Sequence, residues 1–129
     1  MPYVYSKVED LDQSALVGSH HCVALVQRYA GAPAASQWRE GESVMGNKSI
    51  KPGTAVATFV NGKYENNSHG NHAAFYLSQN AGGMWVVDQW KGDPRKPKVS
   101  KRYILSKGQM ANGRYSDPSN NADAFSIIE

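Results

Sequence analysis

The chain contains one cysteine, Cys22, within the run Gly18-Ser19-His20-His21-Cys22-Val23-Ala24-Leu25-Val26-Gln27-Arg28-Tyr29. Leu25, Val26 and Tyr29 follow it by three, four and seven residues, the period of one helix face. Gly18 and Ser19 read as a turn and N-cap, and Gly31 as the C-terminal stop. The sulfur is therefore expected in the first turn of a helix, where free N–H groups and the helix dipole favour thiolate over thiol. A lone cysteine so placed, with histidines further along, has the chemistry of a nucleophile. The competing reading is inert packing, since free cysteine is among the most buried residue types.

A thiol nucleophile needs a base within reach and a group to orient that base. His72 opens the apolar run His72-Ala73-Ala74-Phe75-Tyr76-Leu77 after a glycine-containing loop, Ser68-His69-Gly70-Asn71. Asp88 lies in the next such run, Met84-Trp85-Val86-Val87-Asp88-Gln89-Trp90. A hairpin turning symmetrically about Asn80 sets Leu77 against Gly83 and His72 against Asp88, and directly opposed residues share one face of a sheet. Asp88 then orients the imidazole and stabilises the imidazolium formed when the thiol gives up its proton. A slip of one residue puts Gln89 in its place, which makes Gln89 the fallback. The backbone N–H of Cys22 points toward a developing oxyanion. His69 is the alternative base, and His20 or His21 is expected to line the cleft or cap the helix. Zinc is the other reading of His69, His72 and Cys22. Their spacing matches no familiar zinc pattern, so no metal is expected.

The elements that must carry these residues follow from pattern changes along the chain. A helical segment is expected from Glu9 to Val17, then the Cys22 helix, broken by Gly31-Ala32-Pro33-Ala34-Ala35. Ser36 to Gly41 reads as loop or short helix, with Trp38 packed on the helical layer. From Lys51-Pro52-Gly53 onward the pattern is that of strands: Thr54 to Val60, a tight Asn61-Gly62 reversal, then the two runs that hold His72 and Asp88, joined by a turn over Gln79 to Gly83. Lys101 to Leu105 and Ala124 to Ile128 supply two more. Helices first and strands afterwards predict an α+β domain, with the N-terminal helices on one face of an antiparallel sheet.

Bulk composition narrows the classes. At 129 residues, 40% hydrophobic and 19% charged, the chain is expected to form one domain, residues 1–129. One cysteine excludes an internal disulfide. No apolar run approaches the ~20 residues of a membrane span, so no membrane insertion is expected. The N-terminus has neither the basic nor the apolar region of a signal peptide. Net charge is +3, with most of the excess between Lys91 and Lys107. That stretch carries no recognisable nucleic-acid motif and reads as a solvated basic loop.

Taken together, the helix-borne Cys22, strand-opening His72 and next-strand Asp88 resemble the papain-like cysteine amidases of the NlpC/P60 and CHAP type. Cys22 to Val26 resembles that superfamily's nucleophile helix, Gly70 to Leu77 its histidine strand, and Val86 to Trp90 its third-residue strand. Ile50 to Val56 resembles the turn and strand ahead of the histidine. The resemblance covers roughly residues 15 to 90. It implies a papain-like α+β core, no cofactor, and hydrolysis of amide bonds in the peptide stems of bacterial peptidoglycan. His21, Trp38, His69 and Trp90 are the expected substrate-contacting residues; the sequence identifies no second oxyanion donor, Gln13 being the one candidate named. Small size and the lack of a signal peptide make the chain similar to amidase toxins injected by type VI secretion systems. Delivery to the periplasm of a target cell and a cognate immunity protein that plugs the cleft would then be expected. Two competing expectations are a transglutaminase-like acyl transferase and a non-catalytic module that binds through Trp38, Trp85 and Trp90.

Overall fold

A computed structural model describes residues 2–67 and 70–129. Its one α-helix, α1 (Cys22–Ala30), precedes β1 (Glu40–Ser43), β2 (Ala55–Thr58), β3 (Ala73–Asn80), β4 (Gly83–Asp88), β5 (Ser100–Leu105) and β6 (Phe125–Ile128). The strands form one antiparallel sheet in the order β1-β6-β2-β3-β4-β5. This is the expected α+β architecture, with a thinner helical layer than predicted. Only a single 3-10 turn, Val8–Leu11, overlaps the segment read as a helix from Glu9 to Val17. The chain then turns extended, and Ala15 bridges Lys98. Val8 and Leu11 are buried while Glu9 and Asp10 stay outside, a pattern too short to sustain a helix.

Helix α1 forms as its periodicity requires. Leu25 and Val26 are fully buried, and Gly31 ends the helix in the left-handed conformation at φ 71°, its N–H bonded to Val26 O. The helix packs on Ala55, Ala57, Ala73, Phe75 and Val87, where three alanines let it approach the sheet closely. Val56, Ala74, Tyr76, Met84, Val86 and Ile104 point to the opposite face. There they meet Val44, Ala122 and Phe125, beneath the short 3-10 turns Pro118–Asn120 and Ala122–Ala124. Both faces of the central strands are therefore covered, which explains why all four residues of β2 are buried.

Three strand readings need correction. Ser36 to Gly41 holds a 3-10 turn, Ala35–Gln37, but also the start of β1, which pairs with β6 at the sheet edge. The β3–β4 turn is shorter than Gln79 to Gly83, because Asn80 pairs directly with Gly83 and leaves Ala81 and Gly82 as the reversal. Finally, the hairpin is not symmetric about Asn80. Ser78 faces Trp85, Tyr76 faces Val86, and Leu77 is an extra residue bulged between them. The Asn61-Gly62 reversal forms as read, with Val60 and Lys63 bridged across it.

Candidate active site

The bulge at Leu77 decides which residue His72 meets. Beyond it Phe75 pairs with Val87, and one further step of that register sets Ala74, not His72, against Asp88. His72 is then a diagonal neighbour two residues away, still on the same face because side chains alternate with period two. Continued without the bulge, the register of the hairpin tip would have turned Gln89 to that face. The contact that results is short: His72 Nε2 lies 2.8 Å from Asp88 Oδ2, with Asp88 fully buried and His72 5% exposed.

Gln89, the fallback partner, has a different task on the helix side of the sheet. Its Oε1 accepts from Val17 N at 2.9 Å, and its Nε2 donates to Val17 O at 3.1 Å and to His21 O at 2.8 Å. One buried amide thus clamps the loop leading into α1. The N-cap is consequently His21 rather than Ser19, and it contributes backbone alone; Ser19 Oγ accepts from His21 N at 3.4 Å. Gly18 and His20, both at positive φ, let the chain make this tight approach. Cys22 therefore occupies the first helical position, whose N–H has no acceptor within the helix.

The half-buried Cys22 sulfur interacts with the His72 ring and with the backbone N–H of Ala73. With Nε2 committed to Asp88, Nδ1 is the ring nitrogen left for the sulfur. A third partner was not anticipated: Tyr64 Oη lies 3.6 Å from Cys22 Sγ. Asn71 Nδ2 donates to the same hydroxyl at 3.2 Å, which frees the phenolic hydrogen for the sulfur. Tyr64 is placed by the Asn61-Gly62 reversal and by its ring contact with Trp38, 4.9 Å between centres. The reversal is legible in sequence; the tyrosine's target is not.

Charges follow from these contacts. Burial alone would raise the Cys22 pKa, but the hydrogen bond and charge of His72, with Tyr64 and Ala73, outweigh it and bring the thiol below its ordinary value. Burial would lower His72, yet its bonds to Asp88 and Cys22 and their charges push it up to about 9. Burial would likewise raise Asp88, and is overcome by His72, Arg102 and Lys96, which hold the carboxyl well below the usual range. Burial and the adjacent Cys22 charge drive the Tyr64 phenol upward, so it remains a donor. A hydrogen bond to a charged acceptor is worth about 1.5–3 kcal/mol. Tyr64→Phe is therefore expected to raise the thiol pKa by about one unit, read from the pH dependence of iodoacetamide alkylation; an unchanged profile would show that the hydroxyl does not serve the sulfur.

The basic stretch also departs from its reading as a solvated loop. Lys96 is 6% exposed and its Nζ lies 2.8 Å from Asp88 Oδ1, an oxygen without a well-directed hydrogen bond; Arg102 Nε donates to Oδ2 at 2.9 Å. Nothing in the run of cations marked these two out. Trp90 sits at the site's edge, its ring 5.9 Å from that of His72. Trp38 does not: it is 4% exposed, part of the core, and donates to Pro33 O at 2.9 Å, so its indole offers no surface to a ligand. That also removes one of the three tryptophans of the binding-module reading. Gln13 turns its side chain to Asp12 Oδ1 at 3.3 Å, rather than to the sulfur. His21 is exposed beside Cys22. The expectations for His69, including its part in a zinc site, lie outside the described residues. Among those residues no group of three or more His, Cys, Asp or Glu is arranged to hold a metal ion, and no helix is long and apolar enough to cross a membrane.

This arrangement, a thiol at a helix start with an oriented imidazole, can be compared with known proteins. The chain is 53% identical over 133 residues to a type VI secretion amidase effector 2 protein of Salmonella typhi, covering all of both chains. It is 34% identical over 117 residues to domesticated amidase effector 2 of Ixodes scapularis, covering 88% of this chain and 73% of that one. A solved structure of a type 6 secretion amidase effector 2 superposes with a TM-score of 0.92 at 51% identity, over 98% of this chain and 94% of the other. The family model for domesticated amidase effector 2 matches residues 4–128. The matched span thus includes the helix, the sheet and the site described above, and the chain belongs to the domesticated amidase effector 2 family.

Proposed function

We propose that this protein is a cysteine amidase that hydrolyses amide bonds in peptidoglycan stem peptides and acts as a toxin delivered by a type VI secretion system. The observation that carries the chemistry is the pairing of Cys22, at the first position of α1, with a His72 ring whose far nitrogen is held 2.8 Å from buried Asp88. The names of the relatives support an amidase and its route of delivery.

In this mechanism His72 takes the thiol proton and the Cys22 sulfur attacks the scissile carbonyl carbon. The negative charge that develops on the carbonyl oxygen is met by the free N–H of Cys22. As the carbon–nitrogen bond breaks, His72 Nδ1 gives its proton to the leaving amine. Water, deprotonated by the same ring, then attacks the thioester and releases the acid and free thiol. Asp88 keeps the ring oriented throughout. His21 and Trp90, which flank the nucleophile and the base, are the surfaces offered to the stem peptide. A cognate immunity protein would act by occupying this cleft.

Purified peptidoglycan digested with the protein and resolved by mass spectrometry tests the reading. New fragments carrying a fresh amine and a fresh carboxyl at one stem bond are expected. Intact wall after digestion of several wall types would overturn it, and coupling of an added amine in place of water would turn it into acyl transfer.

A pH profile follows from the same contacts. The thiolate persists below the ordinary thiol range, and the imidazolium persists until pH rises through about 9. Amide hydrolysis, which needs the imidazolium to protonate the leaving amine, is expected to decline above about 9. Alkylation of Cys22, which needs only the thiolate, is expected to continue there. Parallel loss of both rates above that pH would contradict the assignment of the proton to His72.

A further inference from the structure

Asp88 is one acid facing three cations. His72 Nε2 and Arg102 Nε approach its Oδ2 at 2.8 and 2.9 Å, and Lys96 Nζ approaches Oδ1 at 2.8 Å. The lysine and the arginine are themselves held from behind. Lys96 Nζ donates to Ser100 Oγ at 2.6 Å and to Ser100 O at 3.3 Å. Arg102 donates to Asn120 Oδ1 at 2.8 Å and to Ser119 O at 3.4 Å. Both cations also meet the Trp90 ring, whose centre is 4.8 Å from Lys96 Nζ and 5.0 Å from the Arg102 guanidinium carbon. Orienting an imidazole requires one acceptor and no cations. Burying an ammonium beside that acceptor carries a desolvation penalty that geometry alone does not explain.

Charge does explain it. An isolated carboxylate at this distance would bind the imidazolium tightly and make it a poor acid. Asp88 with Lys96 and Arg102 sums instead to a net charge of about +1 before His72 is counted, which opposes the imidazolium and favours the thiolate beyond it. The other groups in the neighbourhood are few. Cys22 faces the ring with Tyr64 behind it, Trp90 and Phe125 present ring edges, Asp117 acts on Arg102 from outside, and Asp93 accepts from Trp90 Nε1 at 3.1 Å.

We propose that Lys96 and Arg102 are positioning residues that offset the charge of Asp88, so that the carboxylate fixes the His72 ring while leaving its proton free to pass to the leaving amine. This deepens the amidase reading and rests on it for the last step only.

The test is the titration of His72, followed by nitrogen NMR of the imidazole in the intact protein, together with the pH profile of kcat/KM. It compares wild type, Lys96→Met, Arg102→Gln and the charge-keeping Lys96→Arg. Removing a positive charge favours the proton on every neighbour. Both limbs of the profile and the His72 midpoint should therefore move to higher pH by about one unit, with kcat reduced and KM unchanged. Lys96→Arg should restore the wild-type midpoint. If the cations merely pin Asp88, its bond to His72 loosens and the midpoint moves to lower pH; that result, or an unmoved midpoint in folded variants, overturns the proposal. Arg102 is partly exposed, so Arg102→Gln tests the idea even if Lys96→Met does not fold. The NMR midpoint is read without substrate, so a failure of the charge offset is distinguishable from a failure of the amidase reading.

Discussion

Cys22→Ala is expected to lower the rate of peptidoglycan amide hydrolysis by roughly 10⁴–10⁶-fold, the scale seen when a covalent nucleophile is removed. The variant should keep the fold. Cys22 is only half buried, its backbone holds the first position of α1, and alanine is the strongest helix former. The remaining machinery, the Cys22 N–H and the oriented His72, stays in place but has nothing to attack with. Fragment yield from purified wall, beside a thermal melt of the same preparation, separates lost chemistry from lost structure. Residual cleavage within tenfold of wild type from a folded variant would remove Cys22 from the mechanism.

Asp88→Asn is expected to produce the second largest effect, and in two quantities at once. The side chain is nearly the same size but leaves buried Lys96 and the Arg102 guanidinium without their counter-charge. Breaking a buried ion pair from one side destabilises by about 3–5 kcal/mol. The ring orientation and the acceptor for His72 are lost with it, so kcat should fall by about 10²–10⁴-fold, as when a histidine is left in the wrong tautomer.

The signs of the pH dependence distinguish this from a simple packing defect. In the wild type the Asp88 pKa is depressed by folding, so its stabilisation is present above the ordinary carboxyl pKa of ~3.9 and lost as pH falls through the folded value. The His72 pKa is raised by folding. Its stabilisation is complete below ~6.5 and lost as pH rises through about 9. Urea unfolding at acid, neutral and alkaline pH should show both losses in the wild type. Asp88→Asn should be less stable at neutral pH and nearly flat between ~6.5 and 9, because the imidazolium has lost its partner. An alkaline loss as steep as wild type would mean that Asp88 is not what holds the His72 proton.

The local signals in the sequence were strong where the chemistry is short-range. The spacing of Leu25 and Val26 after Cys22, with Gly31 behind, defines α1 because helix period and a left-handed C-terminal stop are properties of nine consecutive residues. Asn61-Gly62 makes its reversal for the same reason. The segment from Glu9 to Val17 failed as a helix because it holds one buried residue, Leu11, which with Val8 just ahead of it makes a single turn. β1 was missed because Glu40–Ser43, on the sheet edge and mostly exposed, carries no alternating apolar pattern.

The convergence of Cys22, His72 and Asp88 was legible from residue types and order, but by a register that does not occur. The symmetric hairpin placed His72 opposite Asp88. The real hairpin is offset, and the Leu77 bulge restores the parity that keeps the two on one face. Had the reversal of Ala81 and Gly82 been recognised without the bulge, Gln89 would have been chosen. A bulge depends on how one strand packs against both neighbours, which no local pattern encodes.

What the sequence by itself determined is therefore the helix start that carries the sulfur, the two strands that carry His72 and Asp88, and the α+β class, each set by period, turn chemistry and order along the chain. What only the tertiary structure decided is the use made of residues far apart in sequence. Gln89 clamps Val17 and His21, Tyr64 reaches the sulfur, and two of the seven cations between Lys91 and Lys107 turn inward onto Asp88. Those choices follow from which side chains meet once the sheet is assembled, because hydrogen bonds and ion pairs act over a few ångströms of space whatever the distance along the chain.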